Sequence, residues 1–339
     1  MTDSNSQLFP ELFLEAACSY QRTAALKAAI DLELFTSISR KGSTVLDISE
    51  KCRASERGIR ILCDYLTVDG FLIKVNDFYY LTPSSAMFLN QEFPTYVGGE
   101  LRFLNSQTLM GAFKHLAEAV RVGETVLPDD GVITECHPIW EEFALSMVPM
   151  MQRPANLIAK LLQFDTEGKI KVLDLAARHG IFGITLARHY PNVEVVAMDW
   201  PNVLSITTDN AIKMGVSNRF STIPGNPFDE DFGVGYDLVI LADYLHQFDI
   251  LACEKLLKKV NAALVKDGRV VIIDFVVNED RISPPAQAKL NLSLLASTPN
   301  GDIHTIWEFE KMLKNSNFHR TESNSLPPGL YQMILSYKS

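Results

Sequence analysis

The stretch Lys171-Val172-Leu173-Asp174-Leu175-Ala176-Ala177-Arg178-His179-Gly180-Ile181-Phe182-Gly183 decides the fold. It passes from a short apolar strand through a turn of mostly small residues into a helix. Similar runs recur at Val193–Met198, Asp237–Leu241 and Arg269–Ile273, with helices expected at about 181–190, 202–214 and 250–265. This β-α-β-α order predicts an α/β domain, a mostly parallel sheet covered by helices on both faces. Ligands of such open sheets bind beyond the carboxyl ends of the strands.

Upstream the texture differs. Apolar residues at helical spacing predict a helix over 9–38, and two shorter helical patterns follow between Ser43 and Leu66. Phe71–Val75 and Phe78–Leu81, joined at Asn76-Asp77, read as a β-hairpin. Helices followed by a hairpin make a winged-helix pattern. Residues 54–66 carry few bases for phosphates, which favours packing or dimerisation over DNA binding. Residues 100–163 read as mostly helical, broken near Pro128–Gly131, and the aromatic and methionine stripe from Trp140 to Met151 reads as core in preference to a ligand pocket. A boundary is expected at the Asp165–Gly168 turn.

The chain has 339 residues, with 31 Lys and Arg against 41 Asp and Glu, a net charge of −10. That balance argues against a nucleic-acid binder. Five scattered cysteines without C-x-x-C read as reduced, buried thiols. The start Met1–Gln7 does not read as a signal peptide, and no apolar run is long enough to span a bilayer, so a cytoplasmic protein is expected. No ligand-spaced His or Asp pairs suggest a metal site.

Chemistry concentrates at the strand ends. Asp199 ends the second run, 25 residues after Asp174, where a carboxylate can accept from a ribose diol. The turn after Asp174 is no dinucleotide fingerprint. An acid there would repel a pyrophosphate but suits the cationic end of S-adenosylmethionine. His246 follows the strand Asp237–Leu241 and is the natural general base near neutral pH. Asp274, ending the next strand, could fix its tautomer.

Residues 9–339 resemble the small-molecule S-adenosylmethionine-dependent O-methyltransferases of the plant caffeic-acid type and of bacterial natural-product pathways. The family's D-x-G-x-G-x-G loop falls on Asp174–Gly180, with Ala176 and Arg178 in place of two glycines. Its ribose-binding acid falls on Asp199, before Trp200-Pro201, and its adenine segment on Gly225–Phe228, with Asn226 for Asp. The L-H-D-W-x-D segment falls on Leu245–Asp249. Of the two acids that flank its His, one falls on Asp274, whereas the other falls on Ile303. A lysine four residues before the His in plant members is Ala242, and His304 reads as an exposed loop residue.

The resemblance implies a Rossmann-like class I methyltransferase domain joined to an N-terminal winged-helix dimerisation domain, with His246 as base and Asp274 orienting it. It implies cofactor contacts from Asp174, Ala176, Gly180, Phe182, Asp199, Trp200, Asn226, Pro227, Phe228 and Asp243. Phe143, Met147, Met150, Asn291, Leu294 and Leu295 would line an apolar, aromatic-tolerant acceptor pocket. The expected domains are 1–105 for dimerisation, 106–165 as a helical connection lining the pocket, and 166–339 for catalysis. The expected protein is a homodimer that methylates a hydroxyl of a small aromatic acceptor and releases S-adenosylhomocysteine, with no nucleic-acid or membrane partner. Two rivals remain: the same fold using the cofactor for decarboxylation, hydroxylation or rearrangement, and a ligand-sensing winged-helix regulator.

Overall fold

The structure is a computed structural model that describes residues 10–164, 168–327 and 329–339. The N-terminal start and Asp165–Glu167 of the expected boundary turn lie outside those residues. The chain divides into two compact units, one ending at Leu101 and the other beginning at Arg102.

The first unit contains α1 (Glu11–Asp31), α2 (Leu34–Ser37), α3 (Val45–Cys52), α4 (Glu56–Val68), the hairpin β1 (Leu72–Val75) and β2 (Phe78–Leu81), and α5 (Pro83–Phe88). The single helix expected over 9–38 is broken. Glu33 takes a left-handed conformation, φ 53°, and the chain turns so that Leu34, Phe35 and Ile38 enter the core. Local chemistry sets the next starts. Thr44 and Asp47 form a reciprocal capping box for α3, and the Ser55 side chain accepts from the Gly58 N–H at the start of α4. The hairpin pairs Val75 with Phe78 across Asn76, which is left-handed at φ 52°.

Helix α6 (Leu101–Leu104) begins at the boundary, and α7 (Gln107–Lys114), α8 (Leu116–Val122), α9 (Ile139–Ser146) and α10 (Val148–Leu161) follow. Then come β3 (Ile170–Leu175), α11 (Ile181–His189), β4 (Val193–Asp199), α12 (Pro201–Lys213), β5 (Phe220–Pro224), β6 (Tyr236–Ala242), α13 (Ile250–Ala263) and β7 (Leu264–Asp274). The chain closes with α14 (Pro285–Ser297), α15 (Ile306–Asn315), β8 (Phe318–Leu326) and β9 (Tyr331–Lys338). The sheet order is β5-β4-β3-β6-β7-β9-β8, with β9 alone reversed, antiparallel to both of its neighbours β7 and β8.

Alternation along the strands separates two cores. Val172, Leu238, Ile240, Val271 and Ile273 face α10, α11 and α12, whereas Leu173, Val239, Leu241, Val270 and Ile272 face α13 and α15. The aromatic and methionine stripe joins the first core through Trp140, Phe143, Met147 and Met151. Strand order reverses at β3, which pairs with β4 on one side and β6 on the other. The crevice for a ligand therefore opens at the carboxyl ends of these three strands.

The cysteines depart from expectation. All are free, but only Cys63 and Cys253 are buried, and Cys18 is exposed on α1. No helix among the described residues is long and apolar enough to cross a membrane.

Candidate active site

At the end of β3, Asp174 accepts from the Gly183 N–H at 3.0 Å and fixes the first turn of α11. Gly183 is required there, because a Cβ would lie 2.8 Å from both Asp174 Oδ2 and Val195 Cγ1. Burial pushes the Asp174 pKa up to about 7, against the pull of the Gly183 N–H; Asp199 pushes it the same way. The loop between them keeps a glycine-like backbone without its glycines. Ala176 and Arg178 are both left-handed, each with φ 52°, and Gly180 follows at φ 71°.

At the end of β4, Asp199 accepts from the Arg178 N–H at 2.7 Å and the Trp200 N–H at 2.8 Å. Burial raises its pKa, although the Arg178 guanidinium 3.7 Å away pulls the other way. That guanidinium lies over the Trp140 ring, 3.6 Å from its centroid, and 5.7 Å from that of Tyr244. Beside it is a cavity of about 160 Å³ lined by Trp140, Arg178, Trp200, Asn226, Phe228, Tyr244, Gln247 and Phe248, with Asp130 and Ile133 completing it.

After β6 the chain makes a 3₁₀ turn, Leu245–Gln247. It carries His246 against the end of β7, where His246 Nδ1 lies 2.5 Å from Asp274 Oδ1. Asp274 Oδ2 also accepts from the His246 N–H at 3.3 Å, so one carboxylate fixes both backbone and ring. Burial alone would lower the His246 pKa. The charge and hydrogen bond of Asp274 outweigh it, with help from Asp243, and the net direction is upward. Burial drives Asp243 up to about 7, although the nearby His246 draws it down. Phe275 packs 5.5 Å from the His246 ring and 4.7 Å from Tyr331, an aromatic wall beside the imidazole.

The residues singled out from sequence divide into groups. Asp174, Ala176, Gly180, Asp199 and Asp243 gather at the ends of β3, β4 and β6, and Trp200, Asn226 and Phe228 line the cavity. Pro227 receives Lys259 Nζ on its carbonyl, and Phe182 packs in the core on α11. Phe143 stacks on His179 at 5.7 Å, Met147 is buried in the same core, and Met150 is half-buried against it. On α14, Asn291 Oδ1 accepts from the Ile303 N–H at 2.6 Å, Leu294 packs with Ile303 and Val277, and Leu295 is half-buried. Ile303 is fully buried, so the place of a second acid holds an apolar side chain. The neighbouring Asp302 pairs instead with Arg281 at 3.5 Å.

His304 overturns its expectation. It is buried, with Nε2 at 3.2 Å from the Phe248 carbonyl and 3.8 Å from Cys253 Sγ, because Thr305 caps α15 and turns the preceding residue inward. Sequence reasoning did not place Trp140, Tyr244, Gln247 or the Arg178 side chain at the cleft. Arg178 had a signal, a bulky cation in a glycine position. Trp140 opens the aromatic stripe that reads as core, and tertiary packing brings its ring to the cleft as well. Among the described residues no cluster of three or more His, Cys, Asp and Glu could hold a metal ion.

The strand order, with its antiparallel β9–β8 edge, and the acidic strand ends define a class I methyltransferase fold. Residues 113–319 match the O-methyltransferase domain model and residues 14–91 the O-methyltransferase dimerisation domain model. The chain belongs to the O-methyltransferase family, whose members depend on S-adenosylmethionine. A Nostoc punctiforme PCC 73102 structure, provisionally assigned as an O-methyltransferase, is 44% identical, with TM-score 0.94 over 98% of this chain and 100% of that one. The 3-hydroxy-5-methyl-1-naphthoate 3-O-methyltransferase of Streptomyces sahachiroi is 25% identical over 85% of this chain and 84% of its own length. Human N-acetylserotonin methyltransferase, solved with S-adenosylmethionine, shares the fold at TM-score 0.82 and 21% identity, with 100% of both chains covered.

Proposed function

We propose that this chain methylates a phenolic hydroxyl of a small aromatic acceptor, with His246 as general base and Asp274 as the carboxylate that orients it. The observation that carries this reading is the buried contact of 2.5 Å between His246 Nδ1 and Asp274 Oδ1 at the ends of β6 and β7.

The residues present fit S-adenosylmethionine in chemical type. Three buried carboxyl groups besides Asp274, those of Asp174, Asp199 and Asp243, gather at the strand ends, where a cationic ligand favours their ionised forms. The cavity walled by Trp200, Phe228, Tyr244 and Phe248, with the Asn226 amide, suits the adenine ring, and Asp199 suits the ribose diol. When bound, the cofactor supplies an electrophilic methyl group.

The rest falls to the chain's own residues. With Nδ1 engaged by Asp274, the Nε2 of His246 is the nitrogen left to accept the proton of the acceptor hydroxyl. A phenol of pKa about 10 is mostly protonated at neutral pH, and a positioned base contributes ~10²–10⁴-fold. Asp274 then stabilises the imidazolium. Phe275, Tyr331 and the Phe143–Met147 face supply apolar walls for an aromatic ring. The naphthoate substrate in the name of the Streptomyces sahachiroi relative is of the same class. The exposed apolar residues Leu12, Phe13 and Tyr20 of α1, inside the dimerisation match, support a homodimer.

The test is His246→Ala. Turnover falls by two decades or more while the affinity for S-adenosylhomocysteine stays within about twofold. Equal turnover would remove His246 from the mechanism. The missing second acid at Ile303 favours one rival, non-methylating use of the cofactor. Product mass separates the two, because only methyl transfer adds one CH₂ to the acceptor.

A further inference from the structure

The buried guanidinium of Arg178 lies inside the cleft assigned to the cofactor. Its backbone is anchored, with the N–H on Asp199 and the carbonyl accepting from Thr207 Oγ1 at 2.5 Å. The side chain has no such anchor to the backbone. It is turned inward, 3% exposed, between Asp199, the Trp140 ring and Gln247 Oε1 at 3.5 Å. Its Nε is buried without a hydrogen-bond partner. A buried N–H left unsatisfied is costly, so this inward position is held by charge and stacking rather than by a complete set of hydrogen bonds.

We infer that Arg178 is an internal occupant of the cofactor cleft, displaced when S-adenosylmethionine binds, and that it thereby sets the cofactor's affinity. The inference rests on the cofactor assignment above. Two physical points carry it. The cavity beside the guanidinium, about 160 Å³, holds a base-sized ring, whereas sites for whole small ligands run to about 300–1,000 Å³. That cavity shares Asp130, Ile133, Trp200 and Asn226 with an adjoining open cleft of about 500 Å³, but on the side of Asp199, the carboxylate suited to the ribose, the room is filled by Arg178. The second point is charge. A guanidinium neutralises the acidic strand ends in the free protein, and a sulfonium of like sign competes with it for the same carboxylates. Asp199 keeps a lone pair on each oxygen beyond the backbone N–H bonds, so it can accept from hydroxyls once the cation leaves. Asp130 lines the same cavity and offers the displaced cation another carboxylate. The apparent affinity is then the intrinsic affinity reduced by the fraction of molecules with the cleft open.

The experiment is calorimetric titration of S-adenosylhomocysteine into the wild-type chain and into Arg178→Gly, Arg178→Ala and Arg178→Lys. Glycine suits the left-handed backbone at this position, and lysine keeps the charge without the planar stack. The expected result is affinity at least about tenfold tighter for the glycine and alanine variants, with lysine between them and the wild type. Unchanged or weaker affinity in both neutral variants, with the wild type binding, overturns the inference and leaves the cofactor assignment standing. Absence of binding in all four overturns the cofactor assignment and the inference together.

Discussion

At the scale of single residues, the account turns on what Asp274 does to His246. Desolvation pulls the imidazole pKa down, and the adjacent carboxylate more than restores it. A base must be neutral to accept a proton, so a raised pKa means that activity is lost on acidification at a pH above the ordinary histidine value of about 6.5. The acid limb of kcat/KM should therefore have its midpoint above that value. In Asp274→Asn the largest remaining influence is burial, so the limb moves to lower pH while the rate falls roughly tenfold or more as the ring loses its orientation. A limb that stays in place would separate Asp274 from the titration of the base.

Much of the candidate site was legible residue by residue, because its members lie at the last positions of apolar runs that read as strands or within five positions beyond them. Asp174, Asp199, His246 and Asp274 are such positions. The burial of His304 was not legible. It follows from the capping box of Thr305 and Glu308, whose three-residue spacing is visible, but which neighbour of the cap turns inward is settled by packing against Cys253 and Phe309. Trp140 was read as core in preference to a pocket for a similar reason. Periodicity marks it as core and cannot say which part of the core a cleft will touch.

Among the elements, the loop from β3 to α11 combines strain with a tight fit. A left-handed conformation costs a non-glycine residue roughly 1–2 kcal/mol, part of which glycine loses again through entropy. Ala176→Gly should therefore stabilise the chain by about 0.5–1 kcal/mol, a rise in Tm on the order of 2 °C in thermal unfolding. Gly183→Ala should do the opposite. Its Cβ would collide with Asp174 and Val195, costing about 1–3 kcal/mol and disturbing the turn that presents the cleft. Equal Tm values for both variants would contradict this reading of the loop. The parallel strands β3, β4, β6 and β7 were readable as continuous apolar runs, the signature of strands buried on both faces. Strand β5 was not, since Phe220–Pro224 is a half-exposed edge with no such run, and β8 is a mostly exposed edge strand. The break in the first helix was equally hidden, because helical periodicity continues through Leu32 and Glu33 while the backbone turns.

For the whole molecule, acidic charge and acidic strand ends act in the same direction. A chain with net charge −10 attracts a cationic cofactor and offers little to a nucleic-acid backbone. The winged-helix order of the first unit comes with a dimerisation match, and its α1 exposes Leu12, Phe13, Leu14 and Tyr20 to solvent. In light scattering the chain should have the mass of a dimer, and Leu12→Glu with Phe13→Glu should shift it towards the monomer. A wild-type monomer at micromolar concentration would contradict that assignment. The central claim, methyl transfer to an aromatic hydroxyl through His246, is tested most directly by product mass. The chain is incubated with S-adenosylmethionine and a panel of hydroxyaromatic acids, and products are followed beside S-adenosylhomocysteine release. The account predicts acceptor mass increased by one CH₂, one S-adenosylhomocysteine per product, and loss of both in His246→Ala. Conversion of an acceptor without added CH₂, or methylation undiminished in His246→Ala, would contradict it.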